Sequence, residues 1–330
     1  MRKKILRISL VVGIVLFCLV IYKVGPGQIL NYIKRLSWKS FLVLFGLRII
    51  YWILRTFNWK TVARFFDLRQ SYFLLFEARI VANAISYLTP SAMLGGEPIR
   101  ALMMDGTSRR KNIATVVLDK TIEIITMSFF TILAVVIAII CIPMPVQYRI
   151  LFIVFVVLTI FLCLFLWLKQ KQGFFIWIFN VLGKIKIRSR FIERNKEKIL
   201  DVDGYISDFY RNHKAKIPLI AFLYSLTFLF WVAEIHVTLL FLKAPGLTLF
   251  KSFLVITMGN VALLLPTIPA SLGVYEITNV GIFALLGWRA DIALSMAIIR
   301  RILMLLWTGI GLLAMARNEL SLKNGGKLQV

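Results

Sequence analysis

The sequence predicts an all-α fold: a polytopic membrane helical bundle of about eight full transmembrane helices, with two broken or re-entrant helical motifs and a weak internal repeat. Three observations predict it. Hydrophobic residues make up 60% of the 330-residue chain. Several windows hold about eighteen or more nearly uncharged residues, the length that spans a hydrocarbon core of ~30 Å. Two stretches rich in proline and glycine break this apolar pattern, at "YLTPSAMLGGEPIRALMM" (87–104) and "LLPTIPASLGVYEITNVGIFALLG" (264–287).

The elements follow in order. The start, "MRKKILRISLVVGIVLFCLVIYKVG", has the basic head and apolar body of a signal peptide but no small-x-small cleavage site, so it reads as a retained first helix over 5–22. Further apolar windows lie at 40–57, 72–88, 112–140, 148–168, 217–242, 248–265 and 291–316. The windows at 40–57 and 72–88 are interrupted by Arg48, Arg55, Glu77 and Arg79. The window at 112–140 is too long for a perpendicular span at ~1.5 Å per residue and should tilt or project. Residues 1–330 read as a single integral membrane domain, because no polar segment is long enough for a soluble core.

Within that domain, 169–216 is a basic loop with twelve Lys and Arg against five Asp and Glu, mixing Phe, Trp and Ile among the charges. Such a composition suits a helix in the headgroup plane, on the cytoplasmic side. The whole chain carries 40 Lys and Arg against 15 Asp and Glu, a formal charge of +25. In a soluble protein that balance would point to nucleic acid. Here loop charge and anionic lipid account for it, and no nucleic acid is expected as partner. Cys18, Cys141 and Cys163 lie in or beside apolar segments without CxxC spacing, so neither a disulfide framework nor a metal site is expected. No cofactor motif occurs either.

Backbone irregularity inside a bilayer is tolerated only where protein or a water-filled cavity surrounds it. The first broken motif, with Thr89, Pro90, Gly95, Gly96 and Pro98, should therefore line a cavity, its prolines stopping a helix and its glycines allowing close approach. The second motif offers Pro266, Pro269 and Gly273. A shift of 179 positions aligns Pro90 with Pro269, Glu97 with Glu276, Arg110 with Arg289 and Ile113-Ala114 with Ile292-Ala293. The identities are few, but each half places a glutamate seven residues after a proline and follows it with a long apolar helix. Secondary transporters build midplane sites from such paired broken helices.

"LTPSAMLGGEPIRA" and "LPTIPASLGVYEI" resemble the paired signatures of the lysylphosphatidylglycerol synthase transmembrane region family, flippase-like membrane proteins of bacteria and archaea. The likeness runs from about Phe41 to Ala316. The sequence departs from the family pattern at Ser91-Ala92, where glycine usually follows the first proline, and at Ala270-Ser271, where two glycines are more usual. The resemblance implies a membrane domain that moves or handles a polar lipid, sometimes fused to a soluble aminoacyltransferase or glycosyltransferase. No such soluble domain is expected here, and enzymatic activity of this chain alone is not expected.

Charged residues in the apolar windows are the candidate substrate-binding set. Glu97 and Glu276 should face the interior with a partner or a proton, either as a headgroup or proton-coupling site or as structural caps on a neighbouring half-helix. Arg100 shares a helix face with Glu97 and either binds a phosphate or pairs with that glutamate. Asp119, Lys120 and Glu123 mark a polar stretch of the 112–140 window, and Arg300 and Arg301 lie in the last one; they either line one cavity or snorkel and pair internally. Glu234 and His236, two apart, point in different directions, and nothing completes a metal set around them. "DVD" at 201–203 is similar to the metal-binding DxD of glycosyltransferases, but three residues without a nucleotide fold are a weak signal.

The reading is a flippase-like transporter of a polar or anionic lipid, multi-pass in the cell (cytoplasmic) membrane. The alternative is the membrane part of a lipid-modifying transferase whose catalytic domain is on another chain, which would make that enzyme a partner; a scaffold for envelope synthesis is a third class. No nucleotide-binding P-loop is present, so energy would come from a gradient or a downhill lipid. Two topologies remain: re-entrant motifs give parallel repeats and an external N-terminus, whereas crossing motifs give inverted repeats with both termini inside. The second leaves fewer basic residues outside.

Overall fold

The computed structural model describes residues 37–89, 94–104, 108–184, 190–261 and 269–323, with Val11, Val15, Cys18, Tyr22 and Gly27 as isolated positions before them. Among the described residues the chain is helical and has no strand. The helices are α1 (Trp38–Arg64), α2 (Tyr72–Leu88), α3 (Glu97–Met103), α4 (Arg109–Cys141), α5 (Val146–Gln172), α6 (Phe174–Lys184), α7 (Arg190–Asn212), α8 (Ile217–Phe241), α9 (Leu249–Val261), α10 (Val274–Leu285) and α11 (Ala290–Lys323). Five helical segments, corresponding to α1, α4, α5, α8 and α11, are long and apolar enough to cross a membrane. Seven of the eight apolar windows thus coincide with helices, the seventh as far as Val261; the first, 5–22, is described only at isolated positions, and Pro90 and Pro266 lie outside the described residues.

The chain groups into two compact units. The first comprises Met1–Thr56, Ser71–Met103 and Thr227–Val330. Its central strut is α11, the most buried of the long spans. Lipid is as apolar as leucine, so helices in a bilayer associate through close packing and not through exclusion of water. Gly311 supplies that closeness: a Cβ there would come within 2.7 Å of the Ile80 carbonyl oxygen and 2.8 Å of the Ala84 Cβ on α2. Leu44 of α1 packs with Ile299 and Leu303 of α11, flanked by Val237 of α8. Trp307 adds aromatic contacts to Phe45 and Trp52, at ring-centroid distances of 5.6 and 5.9 Å. Gly259 of α9 lies against Asn279 of α10, whose side chain donates to the Tyr275 carbonyl at 2.7 Å.

Arg48, Arg55 and Glu77, which interrupt the early windows, are answered within this unit. Arg48 pairs with Glu234, Arg55 lies over the rings of Tyr51 and Trp52, and Glu77 pairs with Arg317.

The second unit comprises Phe57–Gln70 and Met104–Leu226. Here α4 is about 50 Å long at ~1.5 Å per residue, longer than an apolar core, and its basic first turn carries Arg110, which pairs with Asp201 of α7. The most apolar window of α5 is unburied, the pattern of a lipid-facing helix. Its end is anchored by polar contacts: Gln170 donates to Thr121 of α4 at 2.5 Å and accepts from the Tyr210 hydroxyl at 3.0 Å. The basic loop forms two helices, α6 and α7, and α7 buries Val202, Ile206, Phe209 and Tyr210 on one face. Asp203 on that face accepts from the backbone N–H groups of Phe175 and Ile176, at 3.1 and 2.7 Å, at the start of α6. The "DVD" residues thus hold helices together, Asp203 as a cap and Asp201 as an ion-pair partner.

Candidate functional site: an arginine pair beside the second broken helix

Both broken motifs end in a short helix with a glutamate in its first turn. In the first, α2 stops at Thr89, whose hydroxyl donates to the Ile85 carbonyl at 2.9 Å. The chain then turns at Gly95 and Gly96, and α3 starts at Glu97 with Pro98 second. Proline fits there because a first-turn N–H has no helical partner to lose. The Gly96 N–H donates to the Ser86 hydroxyl at 2.9 Å. A Cβ on Gly96 would sit 1.8 Å from the Ala82 carbonyl oxygen, so no other residue fits against α2. Arg100, 1% exposed, pairs with Glu97 at 3.0 Å.

In the second motif, Pro269–Ser271 forms a 3₁₀ turn in which Ala270 and Ser271 have φ of 56° and 48°. Gly273 follows at φ 83° and caps α10, its N–H donating to the Glu276 carboxylate at 2.8 Å. These are left-handed positions, which glycine occupies at least cost. They explain physically why glycines suit Ala270 and Ser271.

The second motif meets α11 through two consecutive arginines. Arg301 donates through Nε (3.1 Å) and Nη2 to Glu276, and through Nη1 to the Ala270 carbonyl at 3.4 Å. Arg300 donates to the Tyr275 hydroxyl at 2.5 Å and to Asn260 Oδ1 at 3.0 Å. Its guanidinium also stacks on Trp231 and Tyr275, 5.0 and 4.8 Å from the ring centroids. Among the described residues no carboxylate pairs with Arg300, although it is 8% exposed. Beside both arginines lies a cavity of about 30 Å³, lined by Tyr87, Ala270, Tyr275, Ala297, Arg300, Arg301 and Met304. That holds a water or two and is smaller than a lipid headgroup.

The remaining predicted residues belong to the second unit and do not line this cavity. Asp119 is fully buried and accepts from the Tyr224 hydroxyl, and Lys120 pairs with Glu123 at 3.6 Å. Sequence reasoning missed Tyr275, Asn260 and Trp231, which are uncharged, and the Arg48–Glu234 pair, buried on both sides at 2.5 Å. A lone carboxylate in an apolar helix was the signal available for the latter. His236 is occupied by the Ser252 hydroxyl at 2.9 Å.

Long apolar helices, two broken motifs and a buried cluster of paired charges define a multi-pass integral membrane protein with a polar site inside its bundle. Residues 5–311 match the family described as lysylphosphatidylglycerol synthase TM region, and the chain belongs to that family. Similar relatives include a UPF0104 membrane protein of Methanothermobacter thermautotrophicus, 25% identical over 90% of each chain. Another, from Pyrococcus horikoshii, is 24% identical over 89% of this chain and 91% of its own.

Proposed function

We propose that the protein is a flippase-like transporter that carries a lipid with an anionic or otherwise polar headgroup across the cell (cytoplasmic) membrane. The headgroup passes the Arg300–Arg301 cluster, then the Glu97–Arg100 pair, while the acyl chains stay in the bilayer. One observation carries this reading: Arg300 is a buried guanidinium at a cavity wall with only neutral partners among the described residues. Arginine offers a planar fork of donors that fits a phosphate in two-point contact, and a buried cation with no carboxylate in direct contact favours an anionic ligand. Membership of a family named for lipid synthesis agrees with it. Catalysis by this chain's own "DVD" is not favoured, because Asp203 caps α6 and Asp201 pairs with Arg110 of α4.

The test is reconstitution into phospholipid vesicles with a fluorescent phosphatidylglycerol, followed by quenching from outside. The protein should expose label from the inner leaflet. Arg300→Gln, Glu276→Gln and Glu97→Gln should each slow this at least about tenfold, the loss of one charge-assisted hydrogen bond, with insertion and thermal stability retained. A normal rate in Arg300→Gln sinks the reading, and loss of folding in the two Glu→Gln variants would assign those carboxylates a structural role.

A further inference from the structure

The Arg48–Glu234 pair takes no part in the site as described, yet it adjoins it. Glu234 is 2% exposed in the apolar helix α8. One carboxylate oxygen, Oε1, accepts from Arg48 Nη2 at 2.5 Å; the other, Oε2, is buried without a hydrogen-bond partner. Trp231 lies three residues earlier, on the same helix face, and its ring carries the Arg300 guanidinium on one contact and touches Tyr51 at 5.4 Å on another. Tyr51 in turn lies under Arg48, 5.1 Å from ring centroid to guanidinium. Glu234 therefore feels Arg300 as well as Arg48.

The groups around it are few. From α1 come Arg48 and Tyr51, with Arg55 over the same Tyr51 ring, and from α11 comes Arg300, with Tyr275 of α10 beyond it. His236, on the same helix, is turned to Ser252 of α9. These described neighbours include no second carboxylate.

We propose that Glu234 is a proton-binding site whose protonation is coupled to binding of the lipid's anionic group at Arg300. An intramembrane carboxylate must be paired or carry a proton, and Oε2 is the free position for that proton. Charge accounting sets the sign of the coupling. With Glu234 ionised and no ligand, Arg48, Arg300 and Glu234 together carry one net positive charge. A proton alone raises this to two, with both guanidinium groups left without a carboxylate. A monoanion alone lowers it to zero and places a second negative group near Glu234, which favours protonation. Proton and monoanion together restore the single positive charge. Each ligand thus promotes the other, as linkage requires, and the empty and fully loaded clusters carry equal charge. The protein co-transports one proton with one monoanionic headgroup, the proton leaving Oε2 when the lipid leaves Arg300.

This inference rests on the transport reading, and two measurements separate their failures. Infrared titration of the detergent-purified protein follows the C=O stretch of protonated carboxyl groups and needs no transport. A band that grows with falling pH should disappear in Glu234→Gln and shift without loss in Glu234→Asp. Removing one partner of a buried pair leaves the other charge uncompensated, so Arg48→Gln/Glu234→Gln, which removes both, serves if the single variant does not fold. No difference between wild-type and variant titrations overturns the proton site. In vesicles with fluorescent phosphatidylglycerol, an imposed pH gradient should speed wild-type translocation several-fold and leave Glu234→Gln unaffected. Transport with the band present but no response to the gradient overturns the coupling. A wild-type protein that moves no lipid at any pH overturns the transport reading and the coupling with it, while the band alone decides the proton site.

Discussion

At the scale of single residues, backbone geometry makes the sharpest demands. Gly96 lies so near the Ala82 carbonyl that even a methyl group would overlap it, whereas Ala270 already bears one in a left-handed conformation. Left-handed backbone costs an L-residue about 1–2 kcal/mol. Gly96→Ala should therefore prevent normal folding, and Ala270→Gly should be neutral or raise thermal stability in detergent, by about 1 kcal/mol. Ala270→Val should lose stability, because a β-branched residue is least tolerant of positive φ. An Ala270→Gly protein less stable than the wild type would show that the turn is held by contacts of the methyl group and not strained by them. The sequence carried part of this: a glycine pair between prolines announces close approach, but which glycine makes it depends on the partner helix. The charged candidates were likewise visible as charges. Their pairing was not, because Glu276 finds Arg301 and Arg48 finds Glu234 across long sequence separations.

At the scale of elements, the apolar windows and helices agree because length and hydropathy are local properties, and a membrane demands both of each segment. The repeat also survives at this scale: shifted by 179, Tyr72, Glu97 and Arg109 fall within two residues of the starts of α9, α10 and α11. Less legible was the basic loop, where alternating aromatic and charged residues suggest an interfacial helix but not the break at Gly173 between α5 and α6. Asp203 caps the helix that starts after that break. Burial raises its carboxyl above the ordinary range, more than the N–H groups of Ile176, Phe175 and Phe174 lower it. Its ionisation therefore opposes stability: the contribution is fully present below the unfolded value and is lost as pH rises through the raised folded value. Asp203→Asn, which cannot ionise, should flatten this dependence. Hydrogen-exchange protection of 174–184, compared between the two proteins across the acid and neutral range, measures it; equal pH profiles would contradict this sign.

At the scale of the whole molecule, orientation is the property that composition addresses and helix geometry does not. If both broken motifs complete a crossing, the termini and the loop at 169–216 share the cytoplasmic side, and the repeats are inverted. Cysteine labelling from outside, in a background without Cys18, Cys141 and Cys163, should leave positions near Lys3 protected and label those near Arg289. Reaction near Lys3 would instead establish parallel repeats. Motion along the membrane normal is constrained by α11. Arg300 and Arg301 are consecutive, and consecutive residues of a helix point about 100° apart. Arg300 is held toward α8, α9 and α10, and Arg301 toward α10 and the turn before it. A slide of α11 by one residue, about 1.5 Å, would pull on both sets of contacts at once. The two side chains work as a locating pin: they fix the depth and the rotation of α11 together, so the helix must either stay in register or release both arginines in the same movement.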